Sequence, residues 1–172
     1  ERVTLKQADL RELQLNQRFQ TVIAPFNVLM HLYSVDELIN TLRGVREHLL
    51  PGGTFVFDVL LPDPTLLARD PARVYKGRAV RHPNGKRYAY RESFDYDAVR
   101  QVMAITIELH NLEDPRDVRA QLLTHRQYFP MELEAALHHA GFEVAGRYGD
   151  FDGESLHSYA ESQIYICRSS AR

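Results

Sequence analysis

The sequence predicts an α/β fold, a parallel sheet carrying helices, with an antiparallel sheet inserted late in the chain. Three observations carry this. Residues 19–59 read as strand, loop, helix, strand; residues 78–129 change to alternating periodicity around an Asn84-Gly85 turn; and the chain then returns to one helix and two further strands.

Residues 3–8, Val-Thr-Leu-Lys-Gln-Ala, alternate well enough for a strand, which Asp9-Leu10 ends before a polar loop with Arg11, Glu12, Asn16 and Gln17. Asp9 there suits the cap of a short helical turn. Thr21-Val22-Ile23 and Phe55-Val56-Phe57 are too short for helices and rich in β-branched or aromatic side chains, as central parallel strands are. Between them Ser34 and Glu37 have the spacing of a capping box, and Asp36 adds favourable charge at the helix start. Leu38, Ile39, Leu42, Val45, Leu49 and Leu50 recur on one helical face, Arg43, Arg46 and Glu47 lie opposite, and Pro51-Gly52-Gly53 is the stop. Beyond Asp58, the prolines at 62 and 64 forbid a continuing strand, so a loop and a short helix through Leu66, Leu67 and Ala68 are expected. Open parallel sheets bind ligands beyond the carboxyl ends of their strands, which places the chemistry in residues 24–31 and 58–64.

The inserted region reads as four antiparallel strands, 78–82, 86–96, 101–112 and 118–129, the first two joined by Asn84-Gly85. Alternation puts Tyr88, Tyr90, Glu92, Phe94 and Tyr96 on one face and Arg87, Arg91 and Asp95 on the other. Arg78, Arg81, Lys86, Arg87 and Arg91 beside Tyr88 and Tyr90 have the makeup of a nucleic-acid surface, but Glu92, Asp95 and Asp97 interleave with them. The reading is a solvated hairpin, with nucleic acid not an expected partner. Pro130 then opens a helix to Ala140 with Leu133, Ala136 and Leu137 inward and Gly141 at its stop. His138-His139, being adjacent, cannot form an i, i+4 metal pair and read as charge complements to the helix C-terminus. Residues 142–148 are a strand, 149–158 a loop and 163–167 a closing strand. Asp150 and Asp152 fall short of a calcium loop and read as a turn, so no metal is expected.

With 172 residues, 44% hydrophobic and 26% charged, the chain is long enough for one core. A single domain over 1–172 is expected, with the inserted sheet at about 76–129. A net charge of −2 spread over both signs gives no general attraction to nucleic acid or anionic membrane, leaving a small metabolite as partner. Cys167 is the only cysteine, which excludes an intrachain disulfide, and no apolar run reaches spanning length. A cytoplasmic location is expected.

Asn27-Val28-Leu29-Met30-His31-Leu32, then a helix ending in Leu-Leu-Pro-Gly-Gly and a Phe-Val-Phe-Asp strand, resembles the fourth and fifth strands of class I S-adenosylmethionine-dependent methyltransferases. The chain is most similar to small-molecule enzymes of the glycine and amino-sugar N-methyltransferase kind. Ala140-Gly141-Phe142 and the segment 148–153, Tyr-Gly-Asp-Phe-Asp-Gly, extend the resemblance over nearly the whole chain. It implies a Rossmann-like, three-layer core with a reversed terminal strand, S-adenosylmethionine as cofactor, and methyl transfer to nitrogen or oxygen of a small-molecule acceptor. It implies that Asp9 accepts the adenine amino group while the Leu10 backbone N–H meets the ring, and that Ala24, Pro25 and Phe26 wrap the methionine end. Asn27 would offer a donor and an acceptor to a substrate amine or to backbone, and His31 would orient the nucleophile or act as general base. A turn asparagine and a structural histidine are the alternatives. In such enzymes the inserted sheet caps the active site or makes a dimer contact, so it should set substrate choice.

The family's glycine-rich turn after its first strand, and the acidic residue after its second, have no counterpart before Asp9, and the chain starts at Glu1 rather than Met. A C-terminal portion lacking its first strands is therefore expected, associating with the missing N-terminal portion or forming a homodimer. The alternative is a non-enzymatic binding or dimerisation module derived from a methyltransferase; a nucleic-acid methyltransferase fits less well.

Overall fold

The computed structural model describes residues 3–170. In chain order the elements are β1 (Phe19–Ala24), α1 (Val35–Glu47), β2 (Leu49–Leu60), α2 (Pro64–Leu67), β3 (Tyr75–Lys76), β4 (Val80–Arg81), β5 (Arg87–Asp97), β6 (Val102–Asn111), β7 (Val118–Arg126), α3 (Pro130–His139), β8 (Phe142–Tyr148) and β9 (Ser162–Ser169). They group into two units, one from the residues up to Leu61 with those from Tyr128 onward, the other Pro62–Gln127.

The first unit holds a sheet in the order β1-β2-β9-β8. β1 and β2 are parallel, joined by α1, and β9 runs antiparallel to β2 as the expected reversed strand. The helix begins where its sequence says. Ser34 Oγ accepts the Glu37 N–H at 3.1 Å while the Glu37 carboxylate accepts the Ser34 N–H at 3.1 Å, which satisfies donors a helix N-terminus otherwise leaves free.

Phe55, Phe57 and Val59 of β2 and Tyr165 and Cys167 of β9 are buried with Leu38, Leu42 and Val45 of α1 and Leu133 and Leu137 of α3 in one cluster. Ring stacking runs along β2, with centroids 5.1 Å apart for Phe55 and Phe57, and across to β9, 5.2 Å for Phe57 and Tyr165. Strand parity sends Ile23, Val56 and Ile166 to the opposite face, where Ile23 is 64% exposed and Val56 and Ile166 are half-buried. The expected third layer is thus not formed by the described residues of this unit, because α1 and α3 both cover the Phe55 face. β1 is an edge strand, hydrogen-bonded to β2 alone among the described residues.

Two further expectations are corrected. Residues 3–8 form no strand; they are exposed and pair with nothing in a ladder, so their alternation lacks the partner that would fix it. Leu49 and Leu50, placed on the helix by their spacing, begin β2 instead. His48 ends α1: its Nδ1 donates to Gly44 O at 2.7 Å and its Nε2 accepts the Leu15 N–H at 2.8 Å, while its carbonyl accepts the Phe19 N–H at 2.8 Å, turning the chain into register beside β1.

The second unit is an antiparallel sheet in the order β3-β5-β6-β7, with β4 also paired to β5. The expected first strand, 78–82, is shortened to the two residues of β4, and β3, ahead of that range, is a further short strand on β5. Asn84-Gly85 makes the predicted turn, Gly85 taking a φ of 85°. Tyr90, Phe94 and Tyr96 share one face as alternation requires, opposite Leu109, Ile105 and Met103 of β6. Arg69 stacks over Phe94 and Tyr75 at 4.2 and 4.5 Å from the ring centroids, and the buried Tyr88 hydroxyl donates to Asp117 at 2.7 Å.

Candidate functional site

The carboxyl ends of β1 and β2 carry a compact arrangement. Ala24 is buried as the last residue of β1; Pro25 is exposed, and Phe26, 89% exposed, follows it. Phe26 and Asn27 both adopt left-handed backbone, with φ of 61° and 59°. Two successive non-glycine residues in that region are sterically costly and persist only where the surroundings hold them. The holder is Asp58, 6% exposed on β2: its Oδ1 accepts the Phe26 N–H at 2.9 Å and its Oδ2 the Asn27 N–H at 3.1 Å. Asn27 O then accepts the Met30 N–H at 2.9 Å, opening a single 3-10 turn over Val28–His31. Leu29 and Met30, both fully buried, anchor that turn.

Asn27 Oδ1 is buried and has no hydrogen-bond partner, an acceptor left over in a loop whose backbone is otherwise satisfied. His31 ends the turn exposed, its Nδ1 3.5 Å from the Tyr33 hydroxyl. Asp9 and Leu10 sit apart in sequence but are tied to the same place. Asp9 caps a 3-10 turn over Leu10–Glu12, as the capping reading has it, and binds Arg11 at 2.7 Å. Arg11 reaches Glu37 at 3.0 Å, and Glu37 accepts the Tyr33 N–H at 2.7 Å. A line of contacts therefore runs from Asp9 through Arg11, Glu37 and Tyr33 to His31. Arg11's hydrogen bonds hold the Asp9 carboxyl down to about 2, so it is an ionised acceptor at neutral pH. Leu10 packs its side chain against the core, which fixes its backbone in place.

The seven predicted residues thus fall into two groups, Ala24, Pro25, Phe26, Asn27 and His31 in one loop and Asp9 and Leu10 in the turn joined to it. Arg11 and Glu37 were missed as members, and Asp58, though inside the stretch 58–64 expected to carry chemistry, was given no role. Asp58 had a signal, a lone carboxylate closing an apolar strand at a carboxyl edge. Cys167 is no candidate nucleophile: burial pushes its thiol up to about 12. Among the described residues no three His, Cys, Asp or Glu side chains gather as a metal site would require.

This architecture is that of the Rossmann-like class I methyltransferases. The chain is similar to the CcbJ methyltransferase from Streptomyces caelestis, with a TM-score of 0.79 and 27% identity over 95% of this chain and 62% of that one. It is 29% identical over 161 residues to the dTDP-3-amino-3,4,6-trideoxy-alpha-D-glucopyranose N,N-dimethyltransferase of Streptomyces venezuelae, covering 89% of this chain and 62% of that protein. An S-adenosylmethionine-dependent methyltransferase from Clostridium acetobutylicum shares the fold at a TM-score of 0.77 and 16% identity. No family model matches the chain. The chain spans less than two thirds of the length of each of these relatives.

Proposed function

We propose that this chain forms the acceptor-side portion of an S-adenosylmethionine-dependent methyltransferase acting on nitrogen or oxygen of a small molecule, an amino sugar before others. The observation that carries this is the Asp58-held loop at the carboxyl ends of two parallel strands, with its buried, unpartnered Asn27 acceptor, in a chain similar to sugar N-methyltransferases. The residues fit the cofactor: an ionised acceptor at Asp9 for an exocyclic amine, a backbone N–H at Leu10 beside it, and an exposed flat ring at Phe26 with small neighbours Ala24 and Pro25. S-adenosylmethionine, when bound, supplies an activated methyl group on a sulfonium, so little covalent help is asked of the protein. Positioning supplies most of the rate. Asn27 Oδ1 accepts an N–H of the acceptor amine and turns its lone pair outward. His31, at the surface, orients the acceptor and takes the proton released on transfer, passing it to water.

Association with a further segment is part of the proposal. Among the described residues β1 has a free edge, and the sheet face bearing Ile23, Val56 and Ile166 lacks a helix of its own unit. Parallel sheets are normally covered on both faces, so an N-terminal portion that adds strands beside β1 and helices on that face fits, and a homodimer is the other way of covering them. A cytoplasmic location accords with the single cysteine, and no helix among the described residues is long and apolar enough to cross a membrane.

The test is turnover. The protein, with any N-terminal portion its gene supplies, is incubated with S-adenosylmethionine and a nucleotide-linked amino sugar. Production of S-adenosylhomocysteine dependent on the amine is expected. Cofactor binding without turnover of any amine or hydroxyl acceptor would favour the binding-module reading.

A further inference from the structure

We propose that Asp58 is a positioning residue for methyl transfer: it holds the left-handed Phe26–Asn27 turn and thereby aims the Asn27 side-chain oxygen at the acceptor. The inference rests on the methyltransferase reading above. Three independent features meet at this carboxylate. It is buried on a strand that continues past it, paired at that position with Ile164 of β9, so its own backbone is fixed. Both its oxygens accept hydrogen bonds, from two successive N–H groups of a loop about thirty residues earlier, at 2.9 and 3.1 Å. Those two residues are Phe26 and Asn27, which lie side by side at positive φ without being glycine. A type I or extended turn would avoid that steric cost, so the conformation is one the carboxylate imposes by gathering both N–H groups onto one group.

The consequence falls on Asn27. In the left-handed conformation its backbone N–H is taken by Asp58 and its carbonyl by Met30, while its side-chain Oδ1 is left buried and unpartnered. An orphaned buried acceptor is costly in the resting protein and becomes favourable when an N–H donor arrives. The work takes two acceptor oxygens on one side chain. An amide at 58 presents one acceptor and one donor, so it leaves one of the two loop N–H groups facing an N–H of its own. Asp58 touches neither cofactor nor acceptor in this account; it acts through Asn27.

The experiment has two arms in the full protein. Amide hydrogen exchange on the wild type reads the clamp directly, without any variant. Phe26 and Asn27 amides are expected to exchange as slowly as β1 amides, though Phe26 lies in an exposed loop; exchange as fast as that of an unstructured loop overturns the clamp. Kinetics then read its use. Asp58→Asn, Asn27→Ala and the double variant are compared for kcat, for KM of S-adenosylmethionine and for Tm. Asp58→Asn is expected to lower kcat on the order of a hundredfold, as for an ångström-scale misplacement of a positioning group, with a smaller rise in the cofactor KM because Asp58 also holds Phe26. The double variant should be no slower than the slower single variant, because one residue works through the other. Independent, multiplying losses, or a kcat unchanged by Asp58→Asn, overturn the proposal. Wild-type protein that forms no S-adenosylhomocysteine counts against the methyltransferase reading and with it the kinetic role, while the exchange arm still decides the clamp.

Discussion

Arg11 Nη1 lies 3.0 Å from Glu37 Oε1, so the turn that presents Asp9 is fastened to the carboxylate that also caps α1. Glu37 is held below the usual carboxylate range first by the Tyr33 N–H and then by Arg11. An unfolded glutamate titrates near ~4.3. The stability Glu37 contributes is therefore fully present above that pH and is lost as pH falls through its lower folded value. Glu37→Gln should flatten the fall of Tm with acid below about pH 4. Thermal unfolding of both proteins between neutral pH and pH 3 checks this; parallel profiles would contradict it.

Asp9 Oδ1 already accepts both the backbone N–H and the Nε–H of Arg11, yet Oδ2, with one bond from Arg11, keeps acceptor capacity on a side chain that is 46% exposed. Asp9→Ala should weaken S-adenosylhomocysteine binding by about ten- to a hundredfold. Arg11→Ala serves as control, since it removes the side-chain bonds to Asp9 and Glu37 but leaves the Asp9 acceptor and its backbone cap. Calorimetry giving equal losses for both variants would reduce Asp9 to a cap.

His31 should separate from Asp9 in its kinetic signature. His31→Asn is expected to lower kcat by about a hundredfold with S-adenosylmethionine affinity nearly unchanged. A Tm lowered in step with activity would return the residue to a structural role.

How much of this the sequence disclosed depends on how local each cause is. α1 was legible because Ser34 and Glu37 settle its start within four residues, and the β4–β5 turn because Asn84-Gly85 is self-sufficient. The end of α1 was not: helical spacing carries on through Leu49 and Leu50, and it is the tertiary bonds of His48 to Leu15 and Phe19 that draw those leucines into β2. Residues 3–8 show the reverse error, an alternation with no neighbouring strand to use it. The loop 24–31 was placed from strand ends alone, and its resemblance supplied Asn27 and His31. Asp58 stayed hidden because its partners lie 31 and 32 residues away, and nothing in a strand's spacing tells which loop its last carboxylate will grip.

In the proposed function the cofactor lies across the carboxyl ends of β1 and β2, between the Asp9 turn and the Asn27 loop. The most direct measurement is a backbone amide NMR titration with S-adenosylhomocysteine, which registers binding even at millimolar affinity and so works on the chain with or without an N-terminal portion. The account predicts shifts concentrated at Leu10, Phe26, Asn27 and His31, saturating together, with Gly52 and Gly141 at the opposite ends of the strands unmoved. Saturable shifts at Gly52 and Gly141 instead, or none at residues 9–10 and 24–31 at millimolar ligand, would contradict it.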